Sequence, residues 1–477
     1  MEIKQISNKI PSFLKKIGLY FVGTFSTRLL SVLLVPIYAY FVSSVDLGEY
    51  DYIYAIVNIL YPIAFLCIWE SILKYGIQGQ EDFESMASNC AIVYFVSAII
   101  LTIACAICMM LNYTNMVYVF IMSISLGGAT LWQFMARCMN QTKFFVISGV
   151  VSSLMIIFVD LFLASIQRLD YKGLCISSVF SQITVIILLE SKVHLFRTVK
   201  FKLYNTKLLM KMLSFSIPLV VNNIALYLYN SSSKIIIREF LGAYENGQYS
   251  FASKFAILIN VFSSVVSMAV IEEAYSYSRL EEYRNKVGTI IEKISQFYYN
   301  LIFLALPAIY LLYSVAFQYT EYYFSCDYIF ILLLGALFTS LSSNYGSAFQ
   351  VTEKTKYIFI TTVSGSVASI IVSLFAIKYI GVYGVLAGGT LGPFLMMCLR
   401  AIYAKKATGL IISWKKNLIS FILCILEYFM LAKYKSIFIQ VVILIFSLLY
   451  ILFIYRKQIK LVCNIIITRG GVDKMNS

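Results

Sequence analysis

Long apolar runs separated by short polar clusters make up most of the chain. Most of these runs are close to the ~20 residues that an α-helix needs to cross the hydrocarbon layer of a membrane. The pattern predicts fourteen spanning helices, near residues 17–42, 50–73, 86–110, 116–136, 145–166, 173–190, 211–236, 248–271, 294–317, 327–350, 357–379, 383–404, 417–433 and 436–455. The first run is too long for a secretory signal, carries Arg28 and lacks a small-residue cleavage site, so we expect it to be retained as a helix.

The composition agrees with a protein that lies mostly in lipid. Of 477 residues, 60% are hydrophobic and only 13% are charged, whereas about a quarter of a soluble domain is charged. This balance excludes a water-soluble enzyme and a disordered chain. The 10 cysteines are too sparse for a secreted disulfide scaffold. We therefore predict an all-α integral membrane protein.

The basic residues predict the orientation of the helices. With the amino terminus inside, the predicted cytoplasmic segments hold 29 of the 38 lysines and arginines, and the outer segments hold 7. Cytoplasmic loops carry this excess in membrane proteins, so we expect both termini in the cytoplasm. The net charge of +15 then follows from topology. Anionic membrane lipids, and not nucleic acid, are the expected partners of these loops.

Motifs for catalysis, nucleotide binding and metal binding do not appear in a fitting context. The one histidine, His194, lies in a basic loop, so we expect no histidine-dependent metal site. The chain has no Walker motif, HExxH, GxSxG or dinucleotide fingerprint in a matching context. We predict no cofactor and no enzymatic activity.

Two short motifs occur twice, and they predict an internal repeat. The segment Asp46-Leu-Gly-Glu-Tyr resembles Glu245-Asn-Gly-Gln-Tyr, and Leu169-Asp-Tyr-Lys-Gly-Leu resembles Ile380-Gly-Val-Tyr-Gly-Val. Both pairs fall on the predicted outer side, so the repeats run parallel, as in transporters built from two similar bundles. The predicted domains are an N-terminal lobe of six helices (1–190), a basic cytoplasmic linker (191–211), a C-terminal lobe of six helices (212–404), and two additional helices with a basic cytoplasmic tail (405–477).

Two cations fall inside predicted spans, one in each lobe. Arg28 lies about 16 Å into helix 1, with Thr24 and Ser31 on the same face. Lys254 lies in helix 8, with Ser250 one turn before it. A charged side chain at this depth costs at least ~2.5 kcal/mol unless it faces a cavity or a partner. We expect both cations to converge between the lobes.

Such a pair of cations has two interpretations. An anion is the simplest ligand, and an arginine fork binds phosphate oxygens in a bidentate manner. Alternatively, Asp160, Glu70 or Glu427 neutralises the cations within the protein. Asp160 and Glu70 are also the candidates for coupling transport to an ion.

Uncharged polar residues recur at helical spacing in three spans. They either bind a polar solute, with tyrosine rings stacking on sugar faces, or bond one another between helices. As substrate-binding candidates we select Asn58, Tyr61, Asn223, Tyr227, Asn230 and Asn344.

Several segments together resemble one family. They are the first helix with its arginine, Asp46-Leu-Gly-Glu-Tyr-Asp-Tyr, Pro218-Leu-Val-Val-Asn-Asn, Gly247-Gln-Tyr-Ser-Phe-Ala-Ser-Lys254 and Gly381-Val-Tyr-Gly-Val. In these the chain is similar to polysaccharide repeat-unit flippases of the Wzx type. Those belong to the multidrug/oligosaccharidyl-lipid/polysaccharide (MOP) exporter superfamily, which includes the MATE transporters. Many members carry an Asp-Arg pair near the end of helix 7, where this chain has Ser231-Ser-Ser-Lys234.

The resemblance implies a function. A flippase of this type moves undecaprenyl-diphosphate-linked oligosaccharide, destined for O-antigen or capsule, from the cytoplasmic to the outer leaflet of the bacterial cytoplasmic membrane by alternating access. Polymerase and chain-length proteins of the pathway would be partners, and relatives with cavity arginines in helices 1 and 8 imply that Arg28 and Lys254 bind the diphosphate. Two alternatives remain: a MATE-like drug/cation antiporter, and a multispanning polysaccharide polymerase or ligase.

Overall fold

The computed structural model describes residues 30, 33–77, 82–113, 115–166, 169–276, 280–352, 354, 356–408 and 414–456. Within these ranges the chain is helical, with short turns and no β-strand. The first described helix, α1, covers 33–41. The predicted all-α membrane fold is confirmed.

The helices separate into two compact units. The first comprises the described parts of Met1–Val261 and Thr362–Gly392. Its α7 packs between α5 and α6, and its α2 packs along α9. The helices that begin in this unit before residue 261 are α2 (Ser44–Ala64), α3 (Trp69–Ile77), α4 (Phe83–Met110), α5 (Met116–Cys138), α6 (Thr142–Ser165), α7 (Tyr171–Val193), α8 (Leu195–Thr198), α9 (Thr206–Leu241) and α10 (Ala243–Ser276).

The second unit comprises the described parts of Phe262–Thr361 and Pro393–Ser477. Its α11 packs against α12, α16 and α17. The remaining helices are α11 (Leu280–Ala316), α12 (Ile329–Tyr345), α13 (Ser347–Val351), α14 (Lys356–Ile380), α15 (Val382–Thr408), α16 (Trp414–Lys433) and α17 (Ile437–Ile454), of which α14 and α15 contribute to both units.

Many of these helices satisfy the requirements of a membrane span. Nine helical segments in the described ranges are long and apolar enough to cross a bilayer, and a tenth results if α2 and α3 count as one bent span. The surfaces of these helices that face away from the protein carry exposed Ile, Leu, Phe and Val side chains, which can lie in the hydrocarbon of the membrane. The protein is therefore a multi-pass membrane protein, and the number fourteen stays a prediction.

Local sequence explains where several helices begin and bend. Side-chain oxygens of Ser43, Asp82 and Asp170 accept hydrogen bonds from backbone N–H groups in the first turns of α2, α4 and α7, and such caps satisfy groups that have no partner within the helix. Between α2 and α3, Leu66 and Cys67 adopt positive φ angles of 53° and 47°. The two helices consequently meet at 53°.

Candidate functional site between α2, α6, α9 and α10

The two copies of the first repeated motif pack against each other. A Cβ added to Gly48 would lie 1.9 Å from the carbonyl oxygen of Ala243, and one added to Gly247 would lie 1.8 Å from that of Ser44. Positions 44 and 243 are 199 residues apart, and so are 48 and 247. The contact is therefore symmetric, and it requires glycine at both central positions because backbone fills the space of a side chain.

Buried hydrogen bonds hold this contact, which we call the outer seam (residues 44–48 and 243–248). The Asn246 side-chain amide donates to the Gly48 carbonyl at 2.6 Å. The Gln248 amide donates to the Ser44 hydroxyl at 3.1 Å, and that hydroxyl donates to the Tyr244 carbonyl at 2.8 Å. The seam therefore joins the beginnings of α2 and α10 at the end of the unit that the charge pattern predicts to face outward.

Two ion pairs continue the contact between α2 and α9. Arg238 binds Glu49 with an N–O distance of 2.7 Å, and Lys234 binds Asp51 at 2.9 Å. The Asp51 side chain is only 5% exposed. Each pair links a helix of the predicted N-terminal lobe to one of the predicted C-terminal lobe.

Farther along the same two helices, the predicted polar stripes bond each other. The hydroxyls of Tyr61 and Tyr227 lie 2.8 Å apart. The Asn223 amide donates to the Cys67 sulfur at 3.2 Å. Asn58 donates to the Tyr54 carbonyl of its own helix at 2.8 Å. In this conformation the Tyr61–Tyr227 hydrogen bond joins the two stripes across the α2–α9 interface, whereas Asn58 bonds within α2.

Lys254 lies where α1, α2, α6 and α10 meet. Its ammonium group is 4.8 Å from the centre of the Tyr38 ring, which attracts a cation through its π-electrons. It is attracted to Asp51 and Asp160 and repelled by Lys234. No carboxylate among the described residues lies within ion-pair distance of Lys254. Its charge is therefore compensated only at longer range, unlike that of Lys234.

Asp160 is a fully buried carboxylate beside this lysine. The Tyr38 hydroxyl donates to its Oδ2 at 3.4 Å, and its Oδ1 has no hydrogen bond within the described ranges. The nearby Ser177 hydroxyl donates instead to the Leu174 carbonyl. A buried carboxylate oxygen without a donor costs free energy unless a proton or a cation compensates it.

The three charged groups lie at a moderate depth below the predicted outer ends of their helices. At 1.5 Å per residue, Asp160 is about 8 Å, Asp51 about 11 Å and Lys254 about 16 Å from those ends. When both carboxylates are ionised, the four charges of Asp51, Asp160, Lys234 and Lys254 sum to zero. The described part of the cluster then needs no counter-ion.

The structure does not bring all predicted site residues together. Glu70, in the first turn of α3, is attracted to Arg137, in the last turn of α5. That turn of α5 is at the predicted cytoplasmic end of the helix, whereas Asp160 is near a predicted outer end. Asn344 is buried in the second unit, where its backbone carbonyl accepts a hydrogen bond from Ser347. Outside the described residues are Thr24, Arg28, Ser31 and the side chain of Asn230.

Asp51 was not among the predicted site residues, and Lys234 was counted among the outer cations. The predicted spans began at residue 50 and ended at residue 236, whereas α2 begins at Ser44 and α9 extends to Leu241, so both residues lie farther inside their helices than expected. The signal for the earlier start of α2 is present: Ser43 and Asp46 have the spacing of a capping box, and Ser43 caps the Asp46 N–H at 3.1 Å. Many family members carry an acidic residue close to this cation in the same helix. In this chain the acidic partner of Lys234 is Asp51 of α2.

Comparisons with known proteins define the class of the fold. The solved structure titled "Lipid II flippase MurJ, inward closed conformation" matches with a TM-score of 0.68 and 15% identity, over 92% of this chain and 99% of that one. An inward-facing multidrug resistance MATE family transporter of the MOP superfamily matches with a TM-score of 0.63 and 14% identity, over 80% and 94%. An outward-facing one matches with a TM-score of 0.55 and 14% identity, over 83% and 96%. The chain shares its fold with these membrane proteins.

The family follows from sequence. A family model described as "Polysaccharide biosynthesis protein" matches residues 13–271, more than half of the chain. The chain belongs to this family. No curated protein matches it significantly.

Proposed function

We propose that the protein moves undecaprenyl-diphosphate-linked repeat units of an O-antigen or capsule across the bacterial cytoplasmic membrane, with both of its termini in the cytoplasm. The observation that carries the proposal is Lys254, a partly buried cation without a direct acidic partner among the described residues, in a chain of a polysaccharide-biosynthesis family. In our proposal Lys254 and Arg28 bind the diphosphate.

The physical problem of the reaction matches the chemistry of the cluster. Each sugar hydroxyl moved into hydrocarbon without a partner costs several kcal/mol, so a repeat unit with about ten hydroxyls faces tens of kcal/mol. Polar side chains along the path lower this barrier. The polyprenyl tail stays in lipid throughout.

Lys254 can exchange its attraction to the carboxylates for a contact with the diphosphate, so that binding leaves no charge unpaired. When a diphosphate approaches, Lys254 shifts its attraction from Asp51 and Asp160 to the ligand. Asp160 then binds a proton or a cation, so it is the better of the two ion-coupling candidates, since Glu70 lies beside Arg137. Sugar hydroxyls replace the Tyr61–Tyr227 hydrogen bond at little net cost, because one hydrogen bond is exchanged for another. In the same proposal Thr24, Ser31, Asn58, Asn223, Asn230 and Asn344 supply further polar contacts to sugar.

Complementation of a deletion strain tests this role. We expect Lys254→Met and Arg28→Ala to abolish surface polysaccharide while the protein stays in the membrane, and Lys254→Arg and Arg28→Lys to retain part of it. Lys378→Met, which removes an exposed lysine, is the matched control and should yield normal polymer. Normal polymer with Lys254→Met would refute the role of the lysine. Polymerase and chain-length proteins of the pathway are the partners expected to consume the product.

A second candidate is a MATE-like exchanger of drugs or other cations. The buried carboxylates Asp51 and Asp160 favour it, since an exchanger needs an acid that binds a proton or metal cation in turn. The deletion strain separates the candidates: increased drug sensitivity with intact surface polysaccharide supports the exchanger, and lost polysaccharide with unchanged drug sensitivity supports the flippase.

A further inference from the structure

A cavity of about 290 Å³ lies at the predicted outer end of the first unit. It lies between α2, the beginning of α5 and the end of α9, outside the Lys254 cluster. Isoleucine, methionine and valine side chains line its apolar part. Its polar lining residues are Glu49, Tyr52, Asn112, Tyr113, Asn115 and Arg238. The volume is near the lower end of the range for small-molecule sites, about 300 Å³, and suits one or two sugar rings.

The charges in this cavity cancel. Arg238 binds Oε1 of Glu49 through Nε at 2.9 Å and through Nη2 at 2.7 Å. A phosphate or carboxylate ligand would therefore have to displace Glu49 from the guanidinium. The pair still offers the remaining N–H groups of Arg238 and the second oxygen of Glu49, which make no hydrogen bond within the described part of the chain. A neutral ligand with both donors and acceptors fits this lining better than an anion.

Two asparagines add groups of the same kind. Asn112 lies two residues after the end of α4 in a left-handed conformation with φ of 64°, and its exposed carboxamide makes no hydrogen bond among the described residues. The Asn115 side-chain oxygen Oδ1 accepts a hydrogen bond from the Tyr171 hydroxyl at 3.0 Å, which leaves the side-chain NH₂ group of Asn115 to donate elsewhere. Carboxamides that donate and accept side by side complement neighbouring hydroxyl groups on one sugar ring.

Two tyrosine rings supply flat apolar surface. The Tyr52 hydroxyl donates to Glu239, and the Arg238 guanidinium lies 5.3 Å from the centre of the Tyr52 ring. These two contacts fix the orientation of the ring. Tyr113 is 60% exposed at the cavity mouth. Aromatic side chains that are polar at one end suit ligands with an apolar face and a hydroxylated rim.

We propose that this cavity binds a neutral sugar ring, as an exit subsite for the repeat unit on the outer side of the membrane. The proposal rests on the function proposed above, which supplies the saccharide, and on the charge pattern that places this end outward. An exit subsite holds the product after translocation. It thereby delays its return through the protein.

Binding to purified full-length protein in lipid nanodiscs tests the subsite. The probe is the neutral oligosaccharide released by mild acid from the host's own lipid-linked repeat unit, and inorganic phosphate is the anion probe. Saturation-transfer NMR should detect bound oligosaccharide, and excess inorganic phosphate should not displace it. Asn112→Ala and Tyr113→Ala should each weaken oligosaccharide binding about fivefold to tenfold, the effect of one hydrogen bond or ring contact. Tyr319→Ala, at a tyrosine that is 95% exposed outside the cavity, should bind as the wild type does.

The outcomes separate this proposal from the proposed function. Equal binding by the wild type and both cavity variants, displacement of the oligosaccharide by phosphate, or no binding at all would overturn the subsite. Complementation by the wild type and by Lys378→Met is scored in the same strains. If the wild type restores surface polysaccharide while the cavity variants bind sugar normally, only the subsite fails. If the wild type does not restore it, the proposed function fails.

Discussion

Substitution of Gly48 by alanine tests whether the outer seam must close for transport. The new Cβ would lie 1.9 Å from the Ala243 carbonyl oxygen and 2.8 Å from the Gly247 nitrogen. Both obstacles are backbone atoms, so no side-chain rotation relieves the clash. The beginnings of α2 and α10 must move apart by about 1.5 Å to restore an ordinary van der Waals distance, and the bond from Asn246 to the Gly48 carbonyl stretches with them.

The magnitude of this effect follows from the cost of overpacking. Forcing one extra carbon into a filled contact costs about 1–3 kcal/mol. The clash raises the free energy of the closed seam and leaves that of the separated seam unchanged. The equilibrium constant between the closed and the separated seam therefore shifts toward separation by about 5-fold to 150-fold. We therefore expect Gly48→Ala to populate a separated seam and to reduce surface polysaccharide, because the outer side no longer closes reliably.

The assay is a distance distribution between two spin labels in nanodiscs. The labels are attached to noncanonical residues at Val45 and Leu241, which are exposed on either side of the seam. Gly389→Ala is the matched control, because it makes the same change within a helix but its added Cβ meets no atom within 4 Å. A Gly48→Ala variant with the distance distribution and polymer yield of Gly389→Ala would refute the reasoning.

Two further predictions concern the α2–α9 interface. Asp51→Asn should destabilise the protein by about 3–5 kcal/mol in thermal unfolding, because it leaves the partly buried Lys234 without its acidic partner. The double variant Asp51→Asn with Lys234→Met should recover part of this loss. The control Lys200→Ala, which breaks an exposed ion pair, should cost less than ~1 kcal/mol. If Asp51→Asn unfolds like Lys200→Ala, the buried pair does not stabilise the fold. Tyr61→Phe and Tyr227→Phe should each cost about 1 kcal/mol, and the double variant little more, since both remove one shared hydrogen bond; strictly additive losses would contradict that bond.

The sequence was sufficient for the class of fold and for the partly buried lysine. Apolar runs of helical length are enforced by the lipid itself, since every backbone polar group must be bonded within the span. A cation such as Lys254 inside such a run indicates a functional or paired residue, because placing a charge in hydrocarbon costs free energy. The repeated glycine motifs were equally visible, since backbone contact tolerates no side chain.

Asp160 was predicted as an acidic partner of the intramembrane cations, but the pattern did not predict the Asp51–Lys234 ion pair. Asp51 and Lys234 lie 183 positions apart, and no local periodicity connects them. Each falls within the outer turns of a long helix, where a boundary error of a few residues converts a buried group into a loop residue. The polar stripes of α2 and α9 were recognisable, but the sequence left open that Tyr61 and Tyr227 bond each other.

Transport by purified protein measures the central claim most directly. Proteoliposomes containing the host's lipid-linked repeat unit in the inner leaflet would be tested for exposure of its sugars to a membrane-impermeant oxidant. We expect rapid exposure with the wild type and Lys378→Met, slower exposure with Lys254→Arg, and only the protein-free background with a folded Lys254→Met. Exposure by Lys254→Met at the wild-type rate would contradict the proposal that this lysine binds the diphosphate.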